Sequence, residues 1–221
     1  MRRHLVVMAK PPLMGRAKSR LAADVGPARA ASFCRLATGR LLARLGADPR
    51  WEARLCVNAR PGEGYACWPR AVPRMAQGGG DLGDRMRRAL DALPPGPAVI
   101  LGTDSPQVEP HDVADAFAAL GRADAVFGPA EDGGYWLVGL ARRCPAPNLF
   151  AGVRWSTEHA LADTARSLPG GFSVATLRTL TDVDDAAGLR RLRAGWGEVR
   201  RGPWAPRSGG GGPAGRGPAP R

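Results

Sequence analysis

Leu5-Val6-Val7-Met8-Ala9-Lys10-Pro11-Pro12-Leu13-Met14-Gly15-Arg16-Ala17-Lys18-Ser19-Arg20-Leu21 passes from an apolar run into a turn that gathers four cations around one glycine. A short apolar run of this kind forms a buried strand, and helical periodicity begins after Ala28, so the order is strand, loop, helix. In open α/β sheets such a loop lies outside the carboxyl end of its strand, where ligands bind and glycine lets them approach the backbone. The cations are not a random draw: among 32 Lys plus Arg residues only Lys10 and Lys18 are lysines, and both fall here. Lysine offers a compact charge on a flexible stem where arginine offers a planar fork. The turn therefore reads as an anion-binding loop formed by Lys10, Gly15, Arg16, Lys18 and Arg20. It lacks the G-x-x-x-x-G-K-[ST] spacing of a P-loop, and a solvated basic turn is the competing reading.

The alternation continues outward from this loop. Pro27 opens a helix with Phe33, Leu36, Ala37, Leu41, Leu42 and Leu45 on one face and Gly46 at its end. A strand over Arg54–Ala59, a turn over Pro61–Gly64 and a third element near Val72 follow. Asp81 then caps a helix whose core positions are Leu82, Met86, Ala89, Leu90 and Leu93. Ala98–Gly102 is the clearest buried strand, and Thr103-Asp104-Ser105-Pro106 comes directly after it. An acid at that end of a strand faces the ligand crevice, which makes Asp104 the first candidate metal ligand; a turn or cap residue is the alternative.

A helix over Pro110–Leu120 and a strand over Ala123–Phe127 precede Gly128–Leu140, where Glu131, Asp132, Gly133, Gly134, Tyr135 and Trp136 stand before an apolar strand. Those glycines admit a ligand to the backbone and the aromatics wall a pocket, or the segment is an ordinary hairpin. Trp155-Ser156-Thr157-Glu158 reads as the cap of a helix running toward Leu168. After a strand over Ser173–Leu177, Asp182, Asp184 and Asp185 crowd together. Carboxylates this close repel unless they cap a helix or share a cation. One caps, and the other two can meet Asp104 around a magnesium-type ion, which takes oxygen ligands and substrate phosphates together.

Composition narrows the class of partner. The 221 residues suit one domain over 1–201, followed by a disordered Gly/Pro/Arg-rich tail over 202–221 in which apolar residues are too sparse to fold. A formal charge of +12 draws in anions, but the arginines are dispersed, aromatics are 6%, and no nucleic-acid motif occurs. A phosphate-bearing small molecule therefore ranks ahead of nucleic acid. Cys34, Cys56, Cys67 and Cys144 form no C-x-x-C pair, and Cys34 and Cys56 read as small core residues. No segment reads as a signal peptide or a bilayer span, so a cytoplasmic protein without a membrane partner is expected.

In this order, K-P-P-x-x-G-R-x-K-S-R-L, Q-G-G-G-D-L-G-D-R-M, G-T-D-S-P, G-P-A-E-D-G-G-Y-W-L-V-G-L, W-S-T and D-V-D-D resemble the GT-A-type transferases associated with radical-SAM and selenodomain gene neighbourhoods. Their members are described as glycosyltransferases, some linked to arsenosugar biosynthesis. They lie within the nucleotide-diphosphosugar transferase superfamily, which includes the phospholactate and molybdenum-cofactor guanylyltransferases. The resemblance spans Leu5 to Leu192. It implies an α/β, Rossmann-like GT-A fold: a single-domain three-layer sandwich on a mostly parallel central sheet.

It also implies roles by position. Lys10, Arg16, Lys18 and Arg20 hold nucleotide phosphates, and Gly79, Asp81 and Arg85 border the nucleotide. Asp104 and Asp184 take the metal, Mg2+ or Mn2+. Gly133 and Gly134, with Tyr135 and Trp155, line the acceptor or sugar side. After Asp184 this chain has Asp-Ala-Ala-Gly where relatives have Thr-Pro-Glu-Asp. The expected reaction is transfer of a sugar from a nucleotide-diphosphosugar to a small-molecule acceptor, with Glu131 or Asp132 taking the acceptor's proton and Lys18 and Asp104 stabilising the leaving group. A guanylyltransferase-like nucleotidyl transfer releasing pyrophosphate is the alternative, and a non-catalytic nucleotide or RNA binder is the second.

Overall fold

The apolar runs read from the sequence form the middle of a seven-stranded sheet in the computed structural model, which describes residues 1–16, 18–59, 68–146 and 149–196. The turn at Pro61–Gly64, Cys67 and the tail from Gly202 lie outside the described residues. The strands are β1 His4–Ala9, β2 Glu52–Val57, β3 Arg74–Ala76, β4 Ala98–Leu101, β5 Ala125–Pro129, β6 Tyr135–Leu140 and β7 Val174–Thr176, in the order β3-β2-β1-β4-β6-β5-β7. Central β1 pairs in parallel with β2, with Leu5 opposite Ala53, and with β4, with Leu5 opposite Val99. All six of its residues are buried, as a strand covered on both faces requires.

Alternation along β1 divides the core in two. Leu5 and Val7 face α2 (Pro27–Leu45) and α4 (Pro110–Ala119) through Leu41, Leu42, Val113 and Phe117. Val6 and Met8 face α3 (Leu82–Asp91) through Met86, Ala89 and Leu90. The result is an α/β three-layer sandwich. Among the described residues no helix is long and apolar enough to cross a membrane.

The structure corrects several local expectations. β6 runs antiparallel to both β4 and β5, so Gly128–Leu140 does form a hairpin, inserted into an otherwise parallel sheet. A short helix α1, Ser19–Val25, precedes the one expected at Pro27; Gly26, at φ 87°, separates the two where a residue with a Cβ would be strained. Leu36 lies 53% exposed, because the buried face of α2 follows Ala30, Ala37, Leu41 and Leu45 instead. Thr157 does not cap α5 (Ala160–Arg166): its hydroxyl donates to the Arg154 carbonyl and accepts from the His159 N–H, closing a turn before the helix.

Candidate functional site

The charged residues singled out in the sequence meet beyond the carboxyl ends of β1 and β4. Asp104 follows β4 by a short turn, and Asp184 lies between β7 and α6 (Ala186–Trp196). These two distant segments are stitched side by side: the Val183 N–H donates to the Asp104 carbonyl at 2.9 Å, and the Gln107 amide donates to the Thr181 carbonyl. α1 is tied to the same place by Asp24, which accepts from the Ala186 N–H at 2.9 Å. Lys18, at the start of α1, thereby falls between the acids.

Its Nζ donates to Asp104 Oδ1 at 2.5 Å and to Asp184 Oδ1 at 2.8 Å. The lysine side chain is 8% exposed while the two carboxylates are 53% and 45% exposed, so the cation is enclosed and the acids open toward solvent. Burial alone would depress the ammonium's pKa, but Asp104 and Asp184 outweigh it and raise the value above the ordinary lysine range.

The three crowded aspartates divide their work by partner. Asp185 Oδ1 accepts from the Gly188 N–H at 2.7 Å and caps α6. Asp184 faces Lys18. Asp182 accepts from the Ser105 hydroxyl at 2.5 Å, and burial pushes its carboxyl up to about 6; the Ser105 bond opposes that rise, and the Asp104, Asp132 and Asp184 charges add to it.

Around this cluster opens a cleft of about 760 Å³. Lys10, Arg16, Lys18, Arg20 and Arg85 line it, as do Asp104, Asp132, Asp182 and Asp184. Leu82, Met86, Gly134, Tyr135, Trp136 and Trp155 supply a second, largely apolar wall. Trp155 is fixed there by its Nε1–H, which donates to Asp81 Oδ2 at 3.3 Å, and by a tilted ring contact with Phe150 at 6.2 Å. Asp132 accepts from the Gly134 N–H at 2.9 Å at the mouth.

Gly15, Gly79, Asp81, Glu131 and Gly133 are not among the lining residues. Asp81 and Asp84 form a capping box on α3, and the Glu131 N–H donates to the Leu180 carbonyl. Gly133, at φ 83°, is required by packing: a Cβ there would stand 2.2 Å from the Glu158 carbonyl oxygen.

The sequence reading did not single out Ser105, Gln77 or Cys34 for this place. Cys34 is a cleft residue and not a core one; burial pushes its thiol up despite the nearby Lys18 charge. Gln77 spends its amide nitrogen on the Ala9 carbonyl at 3.1 Å and the Cys56 carbonyl at 2.9 Å, tying together the strand ends beneath the cleft. Its only signal was its position before the glycine run.

Among the described residues no group of three or more His, Cys, Asp or Glu is spaced to hold a metal ion unaided. The pair does fit a magnesium-type ion. Asp104 and Asp184 already converge one oxygen each on a single cation, and such an ion takes one or two carboxylates and completes its shell with water and phosphate oxygens.

The family described as "Uncharacterized protein conserved in bacteria" (DUF2064) matches residues 41–157, and the chain belongs to it. No curated protein matches the chain. Among solved structures, a Desulfovibrio desulfuricans protein provisionally assigned as a nucleotide-diphospho-sugar transferase is 27% identical over 92% of each chain, with a TM-score of 0.80. The inositol-1-phosphate CTP transferase of T. maritima is 13% identical with a TM-score of 0.58, over 91% of this chain and 97% of that one. A Mycobacterium tuberculosis protein solved in complex with manganese is 18% identical with a TM-score of 0.54, over 87% and 98%. At these lower identities the likeness is one of fold.

Proposed function

We propose that this DUF2064 member is a divalent-metal-dependent transferase that uses an activated nucleotide, moving a sugar from a nucleotide-diphosphosugar to a small-molecule acceptor. The observation that carries the reading is the meeting of Lys18 with Asp104 and Asp184 beside Lys10, Arg16 and Arg20 in one cleft. The similarity to the Desulfovibrio desulfuricans protein supports the choice of a sugar donor.

In this reading Lys10, Arg16, Lys18 and Arg20 hold the diphosphate, and Arg85 borders the nucleotide. Asp104 and Asp184 hold Mg2+ or Mn2+, which supplies Lewis-acid stabilisation of charge on the departing phosphate. The bond between the anomeric carbon and the diphosphate breaks as the acceptor oxygen bonds to that carbon. Asp132, which lines the cleft, takes the acceptor's proton; Glu131, outside the lining, is the weaker choice for that step. Gly134, Tyr135 and Trp155 shape the acceptor side, with Gly133 holding the loop in place. The expected cytoplasmic location belongs to the same proposal.

Nucleotidyl transfer is the second reading, favoured by the four amino-terminal cations, whose combined charge suits a triphosphate. Incubation with nucleotide-sugars or nucleoside triphosphates, magnesium or manganese, and an acceptor panel separates the two. Release of nucleoside diphosphate supports sugar transfer, and release of pyrophosphate supports nucleotidyl transfer. Salt-sensitive binding that survives Asp104→Ala and Asp184→Ala without turnover would support a non-catalytic polyanion binder.

A further inference from the structure

We propose that Lys18 bars free divalent ions from the Asp104–Asp184 pair, so that the cleft admits its metal only together with a phosphate-bearing nucleotide that draws Lys18 away. The inference rests on the reading of those two acids as the metal-holding pair. Nζ sits within 2.8 Å of an oxygen on each acid, the position that a cation shared by both would occupy. An ammonium and a divalent ion a few ångströms apart repel strongly in a partly desolvated site, so one must leave for the other to enter. The burial pattern agrees with this exclusion. The lysine fills the inner side of the cluster while the acids are half-exposed, so an incoming ion meets carboxylates whose charge is already partly neutralised.

The backbone supplies the means of release. Lys18 lies at φ 43°, ψ 70°, in the left-handed region, which costs a residue with a Cβ free energy unless something else holds it there. The Ala22 N–H, donating to the Lys18 carbonyl at 2.8 Å, does so together with the two ion pairs. Once those pairs are replaced, the residue can relax while α1 stays anchored through Asp24 to the Ala186 N–H. Lys10 and Arg20 are exposed cleft cations that make no ion pair among the described residues. They attract phosphates to the neighbourhood of Lys18, and those phosphates give its ammonium new partners. Nucleotide and metal then bind with positive coupling, and by linkage each strengthens the other equally.

Manganese binding, followed by electron paramagnetic resonance of the free ion, tests this on the full chain. Wild type should bind Mn2+ weakly, and Lys18→Met should bind it about tenfold more tightly or better, within the usual range of coupling between sites. Asp104→Asn in the Lys18→Met background should abolish the gain, and Lys18→Arg, which keeps the charge, should remain weak. Equal affinity in wild type and Lys18→Met overturns the gate and leaves the transferase reading standing. No manganese binding in any variant, with or without nucleoside diphosphates, overturns both.

A second measurement needs no variant, because Lys10 and Lys18 are the chain's only lysines. Reductive methylation followed by mass spectrometry should modify Lys10 readily and Lys18 slowly, and Mn2+ without nucleotide should leave Lys18 as slow to react. Lys18 that reacts as fast as Lys10 before metal is added, or that Mn2+ alone exposes, overturns the proposal.

Discussion

Two charge clusters in this molecule use the same interactions and reverse their burial. At the start of α4, Asp112 is 3% exposed and saturated: Arg178 Nε and Nη2 donate to its two oxygens at 2.6 and 2.7 Å, and the Glu109 N–H donates at 2.8 Å. The anion is inside and the arginine, half-exposed, closes over it. In the cleft the cation is inside, and Asp104 and Asp184 keep accessible oxygens. Capacity left over after folding separates the two. The Asp112 cluster fastens the chain beyond β7 to α4, whereas the Lys18 cluster leaves carboxylate oxygens open to solvent. Asp163, held by Arg154 and Arg166, belongs with the first kind.

The comparison is broken most directly by removing one acid from the cleft. Asp104→Asn should reduce turnover by about 10³-fold, about 4 kcal/mol in the barrier, because charge stabilisation at the leaving group is lost. Lys18 keeps Asp184 as a partner, so the thermal midpoint should move little. Loss of stability with activity retained would make the two clusters the same in kind.

The converse change is Asp112→Ala. It strands Arg178 and uncaps α4, and should cost about 2 to 3 kcal/mol of stability, below the value for a fully buried pair because the arginine is half in water. Activity per folded molecule should persist, as a denaturant titration run beside the activity assay would establish.

Acid sharpens the same contrast. Burial would raise the Asp112 carboxyl, but the Arg178 hydrogen bonds and charge, the Glu109 N–H and the His111 charge together outweigh it and hold the value below the usual carboxylate range. A group depressed on folding stabilises the native state above its unfolded pKa of about 3.9 and loses that contribution as pH falls through the folded value. Wild type should therefore lose stability more steeply below about pH 4 than Asp112→Asn does. Parallel acid-unfolding curves would remove Asp112 from this account.

How far these differences could be read in advance depends on what kind of information each carries. The α/β class was legible because β1 and β4 are apolar runs long enough to be buried on both faces, and the helices carry a 3.6-residue period. The direction of β6 was not, since an apolar run reads the same in either orientation and only its pairing with β4 and β5 fixes it. α1 was hidden because its seven residues hold one buried side chain, Leu21, too few to show a period. The acids were identifiable as a group, but Asp182, Asp184 and Asp185 are chemically identical. Ser105, Lys18 and the Gly188 N–H assign their roles, and two of those partners come from distant segments. The concentration of both lysines in one turn was the most informative single signal, because composition elsewhere supplies arginine.

The smallest expected effect concerns Lys10, which separates recruitment from clustering. It lies exposed beside the same cleft as Lys18 but makes no ion pair with Asp104 or Asp184, so it contributes charge without organising the acids. Lys10→Ala should weaken nucleotide binding by several-fold, about 1 kcal/mol, with turnover at saturation nearly unchanged. Because an exposed charge acts through screened solvent, that difference should shrink as salt rises toward 1 M, where the screening length falls to about 3 Å. Lys18→Ala should instead keep its deficit at high salt, since its partners are in direct contact and it is enclosed. A Lys10→Ala defect that resists salt would show that bound phosphate encloses this residue as the acids enclose Lys18, and would extend the organised cluster to the end of β1.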